Sequence, residues 1–170
     1  LDGVLVEAKD WHYEALNKAL AVFGCDISYD EHISIYDGLP TKTKLDMLNK
    51  NKNFPLELSQ LVYELKQIYT NEFFTTRCVP DFSQDYLFRN LKESNIKTAV
   101  ASNSIRATVD QAMLGLDIKK YIEFSLSNED VLKPKPDPEI YLKAINTLDL
   151  QPNECLIVED NINGIMAAKS

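Results

Sequence analysis

Four short stretches put chemically able side chains directly after apolar runs. Asp2 and Gly3 follow Leu1 in "LDGVLV", and Ser102 and Asn103 close "TAVASN". Lys133 stands in the proline-stiffened "LKPKPDP", and Glu159 and Asp160 close "CLIVED". Carboxylates, a hydroxyl and an ammonium are complementary parts for handling a phosphate with a divalent cation. Carboxylate oxygens are hard ligands that suit Mg²⁺, and a lysine supplies a point charge for phosphoryl oxygens. A serine hydroxyl and nearby backbone N–H groups can donate to the other oxygens. A carboxylate such as Asp2, held beside a phosphoryl acceptor, can shuttle a proton. Taken singly, each feature has a plainer origin as a turn, a helix cap or a solvated charge. Their common position at strand ends is what argues for a site.

That position depends on the elements around them. "KTAVAS" (97–102) has the composition of a strand, followed by a helix from about Ser104 to Leu114. "EFSLS" (123–127) is a second strand. It leads into a helix with Asp137 as N-cap, Pro138 at the first helical position, and Ile140, Ala144, Ile145 and Leu148 on one face. "CLIVED" (155–160) is expected as a short buried strand, with a new helix starting near Asn163. Strands alternating with helical patterns predict an α/β fold, a Rossmann-like parallel sheet with helices on both faces. In such sheets ligands bind beyond the carboxyl ends of the strands, where all four stretches fall.

The residues between the first stretch and the others have a different rhythm. Asp10 can cap a helix carrying Leu16, Leu20 and Phe23 that stops at Gly24. Thr41 can cap a second with Leu45 and Leu48, and a third near 56–73 aligns Leu58, Leu61, Val62, Leu65 and Ile68. Three helices without a strand predict a helical insertion over 10–79, with 1–9 and 80–170 forming the α/β core. "DFSQDYLFRNLKESN" (81–95) returns to that core as one more helix.

Composition narrows the partners. The 170 residues are 45% hydrophobic and 26% charged, with a formal net charge of −8, which describes an ordinary globular protein. The acidic balance disfavours nucleic acid, and no run reaches the length of a membrane span. An anionic substrate must then be held by local cations against the overall field. Cys25, Cys78 and Cys155 are widely spaced and form no C-x-x-C, so a zinc site and a disulfide framework are disfavoured. A reducing, cytoplasmic setting is expected, and the chain is expected as a monomer or weak homodimer.

"LDGVLV", "VASNS", "LKPKPDPEIY" and "IVEDNINGIMAA" resemble, in order, the four motifs of the haloacid dehalogenase superfamily. More narrowly, they resemble its phosphatase and β-phosphoglucomutase-like branch, whose helical cap is inserted after the first strand. The resemblance spans the whole chain and implies a Mg²⁺-dependent phosphohydrolase of a small phosphorylated metabolite, such as a sugar phosphate. The family's first motif is D-x-D-G with its first acid the nucleophile, and Leu1 matches the x. The resemblance therefore places an aspartate immediately upstream of Leu1 and makes the sequence an internal piece of a longer protein, truncated at both ends. It implies Asp2 as the general acid and base, its carbonyl also a Mg²⁺ ligand. It implies Ser102, Asn103 and Lys133 as holders of the transferring phosphoryl group, and Glu159 and Asp160 as Mg²⁺ ligands.

In the cap, His12 matches a histidine near the hinge, and Gly38 in "YDGLPTKTKL" matches the glycine of the substrate loop. β-Phosphoglucomutases carry a basic residue three places after that glycine. Here Thr41 takes the position with Lys42 beside it, a departure that disfavours a strict mutase. A phosphosugar mutase with the same aspartyl-phosphate intermediate stands as the alternative enzyme, and a non-catalytic domain that keeps the fold for binding stands as another. Phosphonate cleavage would require a Schiff-base lysine, for which Lys42 and Lys44 are the available residues. Dehalogenation is disfavoured, because the motif positions carry the phosphate-handling version.

Overall fold

The computed structural model describes residues 1–36 and 39–170, so Gly38 lies outside the described residues. The chain forms two compact units, Lys9–Phe73 and Leu1–Ala8 with Phe74–Ser170.

The Lys9–Phe73 unit is helical. Helix α1 runs Lys9–Ala21, α2 is the single turn Tyr29–Glu31 continued by a π turn over His32–Tyr36, α3 runs Thr41–Lys52, and α4 begins at Ser59 and ends at Arg77. Leu16, Ala19, Leu20, Ile27, Tyr36, Leu45, Leu48, Phe54 and Val62 close its core, the i, i+3, i+4 spacing doing what an amphipathic pattern requires. α1 stops at Gly24, whose φ of +68° suits a residue without a Cβ. The Ile27 backbone that follows is held from both sides. Asn17 Nδ2 donates to its carbonyl at 2.6 Å, and its N–H donates to Asn17 Oδ1 at 2.8 Å.

Three expectations shift here. Asp10 lies in the first turn of α1 and accepts from the Tyr29 hydroxyl at 3.1 Å, since the helix already begins at Lys9. Pro40 occupies the N-cap of α3 and Thr41 its first helical position; the proline cannot donate, and Thr41 follows it into the helix. In α4, Val62 is buried, whereas Leu61 and Ile68 are 45% and 59% exposed, because the buried stripe runs through Val62, Leu65 and Tyr69.

The other unit holds α5 over Phe82–Glu93, β1 over Ala99–Ala101, α6 over Arg106–Gly115, β2 over Phe124–Leu126, α7 over Glu139–Leu148 and α8 over Ile162–Lys169. Asp81 caps α5 by accepting from the Gln84 N–H at 3.0 Å. β1 and β2 are parallel, Val100 opposite Ser125 and Ala101 opposite Leu126. Among the described residues the sheet is this one pair, so the fold is α/β, mostly helical, around a small parallel sheet. Leu126, Ile140, Tyr141 and Ala167 form its core, with Ala101, Phe124 and Ile157 packed against them.

Cys155–Asp160 does not form the expected buried strand. It is irregular, and only Ile157 of its apolar residues packs inward, Leu156 and Val158 being 89% and 66% exposed. Side chains alternate along an extended segment, so one face alone meets the core. Asp137 likewise is not the N-cap of α7; Pro138 holds that position, and the Asp137 carboxylate accepts from the Glu139 N–H at 3.0 Å. All three cysteines are free. Among the described residues no helix is long and apolar enough to cross a membrane.

Candidate functional site

Polar side chains gather where β1 ends. Ser102 continues the ladder, its N–H donating to the Leu126 carbonyl at 3.0 Å, and its side chain is buried. Its Oγ accepts from the Ser104 N–H at 3.1 Å, which folds the chain sharply after the strand. That turn directs the Ser104 hydroxyl to Asp2 Oδ2 at 3.0 Å. Asp2 itself sits on a tight turn. Gly3 has φ +71° and its N–H donates to the Val6 carbonyl at 2.8 Å.

Two glycines set how closely the acids approach. A Cβ on Gly3 would lie 1.8 Å from Asp160 Oδ2, so the Asp160 carboxylate occupies the space a side chain would take. A Cβ on Gly164 would fall 2.1 Å from Glu159 Cδ. Burial, with the Asp2 charge adding to it, pushes the Cys78 thiol up to about 11, which makes this thiol a packing group rather than a nucleophile.

The cation of the cluster is Lys135, not Lys133. Lys135 has a side chain 6% exposed, and its Nζ donates to the Ala101 carbonyl at 3.1 Å and to Glu159 Oε2 at 3.1 Å. Asn103 clamps its backbone, accepting from the Lys135 N–H at 3.1 Å and donating to its carbonyl at 3.3 Å. Lys133 projects outward, 73% exposed, its ammonium 3.8 Å from Asp137. The reason is local. The Glu139 carboxylate accepts from the Leu132 and Lys133 N–H groups at 2.8 and 2.9 Å. Two residues on, the Asn103 clamp turns Lys135 inward.

Glu159 is similarly committed. The Oε2 atom that accepts from Lys135 also accepts from the Tyr141 hydroxyl at 2.9 Å, so through this oxygen the carboxylate serves as the lysine's counter-ion. Asp160 is exposed. Among the described residues no three His, Cys, Asp or Glu side chains form a metal cage. The donor set nevertheless fits a Mg²⁺ that keeps most of its waters, since such ions take one or two carboxylates plus substrate phosphates. Asp160 over Gly3, with Asp2 adjoining, can supply those oxygens.

The cluster thus brings together Asp2, Ser102, Asn103, Glu159 and Asp160 and leaves out Lys133. Lys135, Ser104 and Tyr141 are the residues that sequence reasoning passed over. A second lysine in K-P-K-P and a second serine in S-N-S were the available signals. His12 and the exposed Lys42 belong to the helical unit.

Several known proteins are similar to this chain. The chain is 28% identical over 173 residues to a phosphorylated carbohydrates phosphatase of Thermotoga maritima, covering 100% of this chain and 78% of that protein. It is 26% identical over 171 residues to a bifunctional riboflavin kinase/FMN phosphatase of Arabidopsis thaliana, covering 100% of this chain but only 44% of that longer protein. The crystal structure of a β-phosphoglucomutase from Clostridium difficile superposes with a TM-score of 0.76 at 26% identity, over 99% of this chain and 77% of that one. The model of one family, haloacid dehalogenase-like hydrolase, matches residues 1–170, and the chain belongs to that family.

Proposed function

We propose that this chain is the catalytic core and cap of a Mg²⁺-dependent phosphohydrolase acting on a small phosphorylated metabolite, such as a sugar phosphate. The observation that carries the reading is a buried ammonium, Lys135, fixed at a strand end beside Ser102, Asn103 and the Ser104-bound carboxylate of Asp2. Such a fixed cation, with water largely excluded, is worth more to an oxyanion than the same charge in solvent. The T. maritima relative, a phosphatase of phosphorylated carbohydrates by name, supports the substrate class.

In this reading Lys135 and the Ser102 hydroxyl take the phosphoryl oxygens. The attacking carboxylate is the aspartate that the resemblance places one position ahead of Leu1. Asp2 is bound at the end of β1 through the Ser104 hydroxyl, so a residue two positions before it adjoins the same cluster. That carboxylate forms a bond to phosphorus as the ester P–O bond breaks, and Asp2 gives its proton to the leaving oxygen. Asp2 then takes a proton from the water that cleaves the aspartyl phosphate, returning both acids to their starting state. Asp160 and Asp2 would hold the Mg²⁺, whose contribution is to neutralise charge on the phosphoryl oxygens. The helical unit corresponds, by the resemblance, to the family's cap, with His12, Gly38 and Lys42 its candidate substrate residues. The likeness to a β-phosphoglucomutase supports a second reading, in which a sugar hydroxyl replaces the water.

The test is hydrolysis of an aryl phosphate and a panel of sugar phosphates by the intact protein in Mg²⁺. Turnover should vanish on chelation and return with Mg²⁺, and Asp2→Asn should lower kcat by about 10³-fold, as loss of a general acid–base does. Wild-type turnover in Asp2→Asn would refute the proton role, and no turnover of any phosphate ester would refute the reading. A phosphorylated sugar product in place of inorganic phosphate would assign the mutase.

A further inference from the structure

Tyr141, the third residue of α7, meets the catalytic cation twice. Its ring lies beneath the Lys135 ammonium, the centroid 4.6 Å from Nζ. Its hydroxyl donates to Glu159 Oε2, the same atom that Lys135 contacts at 3.1 Å. The side chain is not free to do otherwise. Tyr141 is buried, and packs in the cluster of Leu126, Ile140 and Ala167 that supports β2.

These contacts divide the work on one small group of atoms. An ammonium has three N–H donors, and the Ala101 carbonyl and Glu159 take two of Lys135's. A carboxylate that faced the lysine alone would pull it fully into an ion pair. The phenol shares Glu159's charge, while the ring face stabilises the cation without using an N–H. Both leave the third N–H available for an oxyanion and fix its direction.

We propose that Tyr141 is a positioning residue that holds Lys135 and Glu159 in register for a phosphoryl group. The proposal rests on the phosphohydrolase reading, with Lys135 in contact with the phosphoryl oxygens and Tyr141 acting only through it. Charge on those oxygens changes between ground and transition states, so a misaligned ammonium is felt in kcat rather than in uniform binding.

Two variants separate the hydroxyl from the ring. Tyr141→Phe keeps the ring and should lower kcat about tenfold with KM within about twofold, the loss of one hydrogen bond to a charged group. Tyr141→Leu should lower kcat about a hundredfold, the scale of a misplaced catalytic group. A residue that only filled space would leave kcat unchanged in Tyr141→Phe. A second readout needs no turnover. In a lysine-ammonium NMR spectrum of the intact protein, one signal should be displaced upfield by the ring. It should be absent in Lys135→Gln, retained in Tyr141→Phe and lost in Tyr141→Leu. Wild-type kcat in Tyr141→Phe, or no displaced signal in the wild-type protein, overturns the proposal. If the intact protein turns over no phosphate ester, the phosphohydrolase reading fails, and the ammonium signal alone decides whether Tyr141 holds Lys135.

Discussion

The helical unit and the sheet unit bury their side chains for different ends. In Lys9–Phe73 the interior is Leu16, Leu20, Ile27, Leu45, Leu48, Phe54 and Val62, with the Ile27 backbone tied off by Asn17. Contacts of this kind are non-directional, so the core needs volume and periodicity more than orientation. At the end of β1, by contrast, Ser102 and Lys135 are buried, and the hydrogen bonds around Lys135, Asn103, Glu159 and Tyr141 each fix an angle as well as a distance. A buried charge is tolerated only when paired and hydrogen-bonded. One unit is built for cohesion, the other for aim.

That contrast is tested most severely by the two lysines of one loop. Lys135→Gln should lower kcat/KM by about 10³-fold, the cost of removing a preorganised charge from the transition state. Lys133→Gln should change it by less than about twofold, because an exposed ion pair contributes little. The pair would be measured on the same phosphate ester in the intact protein. Equal effects, or the larger effect at Lys133, would break the distinction between the aimed residue and the solvated one.

The same pair shows what the sequence made legible and what it did not. Apolar spacing located α1, α3 and α4, because a helix needs only one stripe to face a core. It misjudged Leu61 and Ile68, since neighbouring positions on a helix differ by 100° and a stripe read from sequence is broad. The four strand-end stretches were legible because their residue types are chemically unusual together. K-P-K-P was not, since either lysine satisfies the motif and the choice rests on a side-chain clamp from Asn103 across 32 residues of chain. The partners of Glu159 were hidden for the same reason. Nothing in "CLIVED" announces that Tyr141 and Lys135 will claim its carboxylate.

Cohesion in the helical unit has its own measure. Leu48 is 0% exposed and Leu61 45%. Leu48→Ala should cost about 3 kcal/mol, the transfer term plus the cavity it leaves. Leu61→Ala should cost under about 1 kcal/mol. Urea unfolding followed by far-ultraviolet circular dichroism would read both. Equal losses would mean that α4 presents a wider buried face than its Val62 stripe.

The sheet unit also holds a polar device that the site does not use, and it sets the smallest effect. Asp130 Oδ2 accepts from the Ser127 N–H at 2.7 Å and the Ser127 hydroxyl at 2.8 Å, and it pairs with Arg106. The backbone bond from Ser127 is the largest cause holding its pKa below the ordinary carboxylate value, with the Ser127 hydroxyl and Arg106 adding to it against desolvation. A carboxyl whose folded pKa is depressed binds its proton more readily when unfolded. Its stabilisation is therefore fully present above the unfolded value of about 4 and is lost as pH falls through the folded value. Asp130→Asn removes the charge at every pH. Its urea midpoint should lie below that of the wild-type protein at neutral pH, and the two should converge as pH falls through the folded-state value, below about 4, and Asp130 itself becomes protonated. Taking the difference between the two proteins cancels the titration of every other carboxylate they share. The side chain is 30% exposed, so solvent screening keeps the separation small even where it is largest. A separation that stayed constant down to low pH would mean that Asp130 holds the β2 exit by shape rather than by charge. The directional bonding that distinguishes this unit would then extend no further than the cluster around Lys135.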